Sequence, residues 1–178
     1  MHRLFVAIRP PPPVRAVLLD AMGGIAGVRW QDEEQLHLTL RFVGEVSPRE
    51  GEELAAALGH VSAPPFDLAL SGVGHFERKG RVHTLWAGVA VSEPLAALQR
   101  KIERACQAVG LEPEHRKFAP HLTLARPRAA SGPIGEWLAT NGALRSAPWS
   151  VTDFRLYESH LGPDGSRYQA VARFPLAG

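Results

Sequence analysis

An α+β fold is predicted, with two pseudo-symmetric lobes whose antiparallel-rich sheets face a central cleft and whose helices lie on the outside. Three observations predict it. Strand-like and helix-like stretches follow one another as strand, helix, strand, strand, helix, strand, and the second half of the chain approximates the same series. The tetrapeptide His-Leu-Thr-Leu occurs twice, at 37–40 and 121–124, once in each half. No linker-like stretch divides the halves, so the 178 residues are expected to form a single bilobal domain over 1–178.

Taken in order, residues 4–8 read as a buried strand that Pro10 to Pro13 stop. The last of these prolines can open a helix, on which Val14, Val17, Leu18, Ala21 and Met22 recur at helical spacing before Gly23 and Gly24 end it. A short strand near 28–30 leads through an acidic turn into the first motif strand, 36–43. Ser47, Pro48 and Glu50 form a capping box for a helix that Gly59 closes. Residues 66–71 alternate as a strand. Gly72-Val73-Gly74 follows without a helix behind it, which argues against a dinucleotide site. Residues 75–81 form a basic hairpin tip, either a solvated turn or a surface for an RNA backbone. A strand at 82–91 precedes the longest helix, 92–109, whose apolar face is Leu95, Leu98, Ile102, Ala105 and Val109. The second motif strand spans 117–125, with Pro120 marking an edge or a strand start. A short helix at 134–138, anchored by Trp137, and two strands, 150–159 and 168–174, close the chain around a Gly-Pro-Asp-Gly turn.

Composition is that of an ordinary globular protein, 45% apolar and 21% charged, with a mild formal net charge of +2. Lysine stands only at 79, 101 and 117, so arginine carries nearly all the positive charge and suits bidentate phosphate contacts. A lone Cys106 excludes an internal disulfide and falls on an apolar helical stretch, where an inert buried thiol is expected. No apolar run is long enough to span a membrane and no signal-peptide pattern opens the chain, so a soluble cytoplasmic protein is expected.

The duplicated tetrapeptide carries the chemistry. In a strand, residues i and i+2 share a face, so His37 sits beside Thr39 and His121 beside Thr123, with Cα atoms roughly 6–7 Å apart. Each copy follows an aromatic residue, Trp30 or Phe118, and precedes a basic one, Arg41 or Arg126. Where two such strands face each other, two imidazoles meet over one cleft as a general acid–base pair. His2, His60, His75, His83, His115 and His160 lack a threonine two residues on and read as surface or turn residues.

The two copies resemble the paired motifs of the two-histidine (2H) phosphoesterase superfamily. The opening Arg3-Leu4-Phe5-Val6-Ala7-Ile8, the stretches 30–46 and 118–126, and the ending with its Leu-Tyr-Glu-Ser, Gly-x-x-Tyr and Phe-Pro-Leu are similar as well. The branch most resembled is the RNA 2′,3′-cyclic phosphodiesterase, also called 2′-5′ RNA ligase. That resemblance implies metal-independent opening of RNA 2′,3′-cyclic phosphate ends to 2′-phosphomonoesters, with reversible ATP-independent ligation as the related activity. It implies His37 as general acid and His121 as general base, with Thr39 and Thr123 on the phosphate oxygens. No cofactor or metal is implied. The expected partner is RNA with a 2′,3′-cyclic phosphate end, tRNA fragments among the candidates, acted on by a monomer away from membranes.

Arg126 corresponds to an arginine that supports the phosphate in the resembling branch. Strand parity turns it away from His121 unless the strand ends or bulges near Ala125, which Pro127 favours. Arg41 shares parity with His37 and Thr39 and is a second phosphate candidate. Phe42, Phe76 and Tyr157 are candidate base-stacking surfaces. Three rivals stand beside this reading. They are a metalloenzyme, which the absence of His-Glu-x-x-His and Cys-x-x-Cys spacings disfavours, a phosphodiesterase for small cyclic nucleotides or 2′-5′ linkages, and a non-catalytic RNA-binding protein.

Overall fold

Proline shapes how the first three helices begin, because its fixed φ suits the first turn and its missing N–H has no partner there to lose. In the computed structural model, which describes residues 1–178, β1 (His2–Ile8) leads to α1 (Pro12–Asp20). A one-turn 3-10 helix (Glu33–Gln35) precedes β2 (Leu38–Val46). Next comes α2 (Pro48–Leu58), whose Ser47 Oγ accepts from the Glu50 N–H while the Glu50 carboxylate accepts from the Ser47 N–H, as the capping-box pattern predicts. Then follow β3 (Phe66–Leu68), β4 (Leu70–Arg78), β5 (Arg81–Val89) and α3 (Glu93–Ala108). The chain ends with β6 (His121–Ala125), α4 (Gly135–Asn141), β7 (Trp149–Val151), β8 (Asp153–Gly162) and β9 (Gly165–Pro175).

Seven strands form one antiparallel sheet in the order β4-β5-β6-β2-β1-β8-β9, and β3 pairs with β7 in a small second sheet. The α+β class with a large antiparallel sheet is therefore the one the sequence predicts. The lobes differ from the expected ones in how the chain builds them. The sheet has two leaves, β4-β5-β6 and β2-β1-β8-β9, which meet at a single pairing, Leu38 with Leu122. The second leaf takes strands from both ends of the chain. The reason lies in β1, whose last five residues are buried on both faces and which therefore needs a neighbour on each edge, β2 on one side and β8 on the other.

The main core lies on the helical side of the sheet. Leu4, Val6 and Ile8 of β1 and the motif leucines Leu38, Leu40, Leu122 and Leu124 join Leu54 and Leu58 of α2 and Leu95, Leu98, Ile102 and Cys106 of α3. Burial pushes the Cys106 thiol up to about 11, so it stays protonated and inert. Trp137 anchors α4 as expected, its Nε1–H donating to the Ala21 carbonyl at 2.8 Å. On the opposite face, Phe5, Ala7 and Tyr157 form a small separate cluster that Tyr168 covers.

Some boundaries depart from expectation. The strand expected near 28–30 is reduced to one bridge, Trp30 with Ala125, and the strand expected at 66–71 is split between β3 and β4. The Gly72-Val73-Gly74 stretch lies inside β4, where a Cβ on Gly74 would stand 2.3 Å from the Trp86 ring. The glycine makes room for an indole on the neighbouring strand, not for a phosphate. No helix is long and apolar enough to cross a membrane.

Candidate active site

The one pairing between the two leaves, Leu38 with Leu122, lies at the centre of the two motifs. Both leucines point into the helical core, so their sequence neighbours point to the open face. Antiparallel register about this pair sets Thr39 across from His121 and Thr123 across from His37. All four side chains are partly exposed. The structure thus brings His37, Thr39, His121 and Thr123 together around a local pseudo-two-fold axis. His37 falls just before β2, and His121 is the first residue of β6 as Pro120 suggests.

Each imidazole is held the same way. His37 Nδ1 lies 2.7 Å from the Gln35 carbonyl and His121 Nδ1 2.6 Å from the Ala119 carbonyl, in both cases two residues back. A carbonyl only accepts, so Nδ1 carries the proton in both rings and Nε2 is left to exchange protons with a ligand. The 3-10 turn carrying Gln35 is itself clamped, since Arg9 donates to the carbonyls of Glu33, Glu34 and Leu36 and Gln35 Nε2 donates to the Ser166 carbonyl.

Aromatic rings wall both histidines. Phe5 lies 4.8 Å from His37 and Tyr168 meets it edge-on at 5.1 Å. Phe76 meets His121 edge-on at 4.9 Å, with Trp86 at 6.5 Å. Burial among these rings disfavours the imidazolium and is the main cause that lowers His37 to about 4. The bond to Gln35 opposes that shift, while the charges of Arg126, Arg9 and His121 add to it. His121 is lowered for the same leading reason, against its bond to Ala119, with Arg126 again contributing. Arg126 therefore acts electrostatically on both rings.

Matching bulges decide which residues beyond the motifs reach the cleft. In β2 the pairing with β1 passes from Ala7–Thr39 to Val6–Arg41, leaving Leu40 as the extra residue. In β6 the pairing with β5 passes from Trp86–Thr123 to Leu85–Ala125, leaving Leu124 extra at the corresponding position. Each bulge reverses the parity that follows it. Arg41, expected to share the face of His37 and Thr39, is turned to the helical side and buried. There its guanidinium bonds Glu103 of α3 at 2.5 Å and donates to the carbonyls of Phe42 and Glu112. Its guanidinium is thus committed to protein partners, while the residue still forms part of the wall of the cavity that holds Thr39, Phe42 and His121. Phe42 takes the cleft side, opposite Phe5, and is half-exposed. Arg126, just past the end of β6, is exposed and forms no ion pair.

Two cavities flank the histidines. One of about 250 Å³ is lined by Arg29, Gln35, Arg126, Arg128 and Tyr168 on the His37 side. The other, about 330 Å³, is lined by Thr39, Phe42, Phe76, Phe118 and His121. Tyr157 is buried under the site, stacked on Phe5 at 5.2 Å, so it serves as floor and not as a base-stacking surface. Sequence reasoning missed Phe5, Trp86 and Arg9. Tyr168, the tyrosine of the Gly-x-x-Tyr pattern, was legible only as part of a resemblance. No group of three or more His, Cys, Asp and Glu side chains gathers anywhere in the structure. The cleft instead offers two neutral imidazoles, two hydroxyls and an unpaired guanidinium, a set suited to an anion that must gain and lose protons.

The chain is similar to known proteins along most of its length. The sequence model of the 2′-5′ RNA ligase superfamily matches residues 10–163. A Thermus thermophilus protein named RNA 2′,3′-cyclic phosphodiesterase is 34% identical, over 99% of this chain and 91% of its own. A Geobacillus stearothermophilus protein of the same name is 33% identical over 89% of this chain, which spans about half the length of that relative. The crystal structure of Escherichia coli LigT complexed with 3′-AMP superposes with a TM-score of 0.79 at 26% identity, covering 99% of each chain.

Proposed function

The chain belongs to the 2′-5′ RNA ligase superfamily, among the two-histidine phosphoesterases, and from that premise we propose that it is an RNA 2′,3′-cyclic phosphodiesterase. It opens the cyclic phosphate at an RNA end to a 2′-phosphomonoester by acid–base catalysis, without a metal ion. The observation that carries this reading is the single Leu38–Leu122 pairing, which sets two His-Thr pairs about one point.

In the proposed reaction a water oxygen attacks phosphorus in line with O3′. The water gives a proton to one Nε2 and the P–O3′ bond breaks. The other Nε2–H then delivers its proton to O3′, leaving the phosphate on O2′. The family pattern makes His121 the base and His37 the acid. Thr39 and Thr123 donate their hydroxyls to the non-bridging oxygens, and Arg126 offsets the charge they carry. With both pKa values lowered, the neutral form of each imidazole is favoured at pH 7. The incoming phosphodiester anion supplies the negative charge that returns a proton to one of them. The terminal base occupies the cavity of Phe42, Phe76 and Phe118, where stacking needs no base-specific contact. Run in the same direction with a ribose 5′-hydroxyl in place of water, the same steps form a 2′-5′ linkage without ATP, and run backward they cleave one.

The test is an RNA ending in a 2′,3′-cyclic phosphate, incubated with the protein and a chelator and followed by phosphorus NMR. A 2′-phosphomonoester should appear, and His37→Ala and His121→Ala should each slow its formation by about 10²–10⁴-fold. An unchanged terminus, or activity lost to the chelator, would overturn the proposal.

A further inference from the structure

We propose that the β4–β5 hairpin is a rigid arm that binds the RNA chain upstream of the reacting end, a role that rests on the cyclic phosphodiesterase reading. The hairpin leads directly out of the site. Phe76 of β4 packs against His121, and His83 of β5 lies 6.2 Å from Phe76. Roughly 10 Å further along the strands, by the usual rise per residue, the arm ends in Arg78, Lys79, Gly80 and Arg81. None of the tip residues lines the cavity of Phe76 and His121; Arg78, Lys79 and Arg81 instead line a separate hollow with His83, where a nucleotide upstream of the reacting one would lie.

Two features of the tip point to a polyanion. Arg78 and Arg81 are directly paired across the turn, and like charges placed opposite one another destabilise a hairpin. No carboxylate relieves them. Some exposed arginines elsewhere have such partners, as Arg49 with Glu53, Arg100 with Glu93 and Arg116 with Glu114, and others such as Arg126 and Arg167 have none, but Arg78 and Arg81 also face each other across a strand pair. Glu77, the nearest carboxylate in sequence, is bonded to His75 at 2.9 Å. The second feature is stiffness. Lys79 and Gly80 have φ of 53° and 75°, the two left-handed residues of a tight two-residue turn, so the three cations sit on a fixed platform. Basic residues on an edge strand also discourage pairing between molecules, but that protection needs charge along the strand. The body of β4 carries only His75 and Glu77, with the cations gathered at the tip.

The experiment compares the parent protein with a triple variant, Arg78→Gln, Lys79→Asn and Arg81→Gln, in which asparagine tolerates the left-handed turn position. Two substrates are used, uridine 2′,3′-cyclic monophosphate and an RNA hexanucleotide ending in a 2′,3′-cyclic phosphate. At low salt kcat/KM for the hexanucleotide should fall about tenfold or more, and the slope of its logarithm against log salt should flatten by about 2, from roughly 0.7 per phosphate contact to a single strand. The mononucleotide should be turned over within about twofold of the parent rate, because none of the tip residues lines the cavity it would occupy. Unchanged kinetics on both substrates, or equal losses on both, would overturn the proposal. Were the parent to hydrolyse neither substrate, the activity reading would fail by itself. Fluorescence anisotropy with labelled single-stranded RNA would still decide the arm, which requires weaker binding by the triple variant.

Discussion

At the scale of single residues, the proposed mechanism depends on two histidines whose free ring nitrogen is chosen by the backbone. Both Nδ1 atoms are committed to carbonyls two residues back, and both rings are pushed toward the neutral form, His37 to about 4. The direction of those shifts fixes the pH dependence. Proton transfer at phosphorus needs one ring charged and one neutral, so kcat/KM should follow a bell bounded by the pKa values of the free protein. A lowered pKa means the charged ring appears only at lower pH, so the maximum should lie on the acid side of the ordinary imidazole value of 6.5. Arg126 lowers both rings by its charge, so Arg126→Ala should move the bell to higher pH while reducing its height. A maximum above pH 7 in the parent, or a bell that Arg126→Ala leaves in place, would contradict this electrostatic account.

At the scale of elements, identical tetrapeptides make identical strand irregularities. Leu40 and Leu124 are both extra residues in their pairings, and each one reverses the alternation after it. That is why parity, the main tool for reading a strand from sequence, succeeded for His37, Thr39, His121 and Thr123 and failed one step later for Arg41. For Arg126 the same reasoning needed a bulge or strand end near Ala125, and β6 supplies both. A bulge arises from pairing with a distant strand, here β1 or β5, and no local pattern around Leu40 announces it. Arg41 then has a structural part to play, tying β2 to α3 through Glu103. Burial alone would raise the Glu103 carboxyl, but bonds from Arg41, Gln107 and the Glu114 N–H hold it below its ordinary value. Arg41→Met would strand that carboxylate and should cost about 3 kcal/mol, a fall in Tm of about 6–12 °C for a chain of this size. The kcat of the folded variant should stay within about twofold of the parent. A loss of turnover without a loss of stability would place Arg41 among the phosphate contacts.

At the scale of the whole molecule, the fold class was legible because β1, α2, α3 and the β8–β9 hairpin carry strong local signals: a continuous apolar run, a capping box, helical spacing and a Gly-Pro-Asp-Gly turn. The strand order was not. A sequence of two similar halves suggests two similar sheets. Here β1 is buried on both faces and draws β8 from the far end of the chain, so the leaves interleave the halves. The aromatic walls were illegible for the same reason, since Phe5, Tyr168 and Trp86 come from strands remote in sequence from the histidines they desolvate. What the sheet accomplishes is to bring two leaves together at one residue pair and place a histidine on each side of it.

The claim that both imidazoles serve one phosphoryl group is tested most directly by nitrogen-15 NMR of the histidine side chains during titration with 2′-AMP. The resonances of Nε2 in His37 and His121 should move together along one saturation curve, with both Nδ1 protons retained throughout. A response confined to one ring, or two curves with different midpoints, would contradict the account.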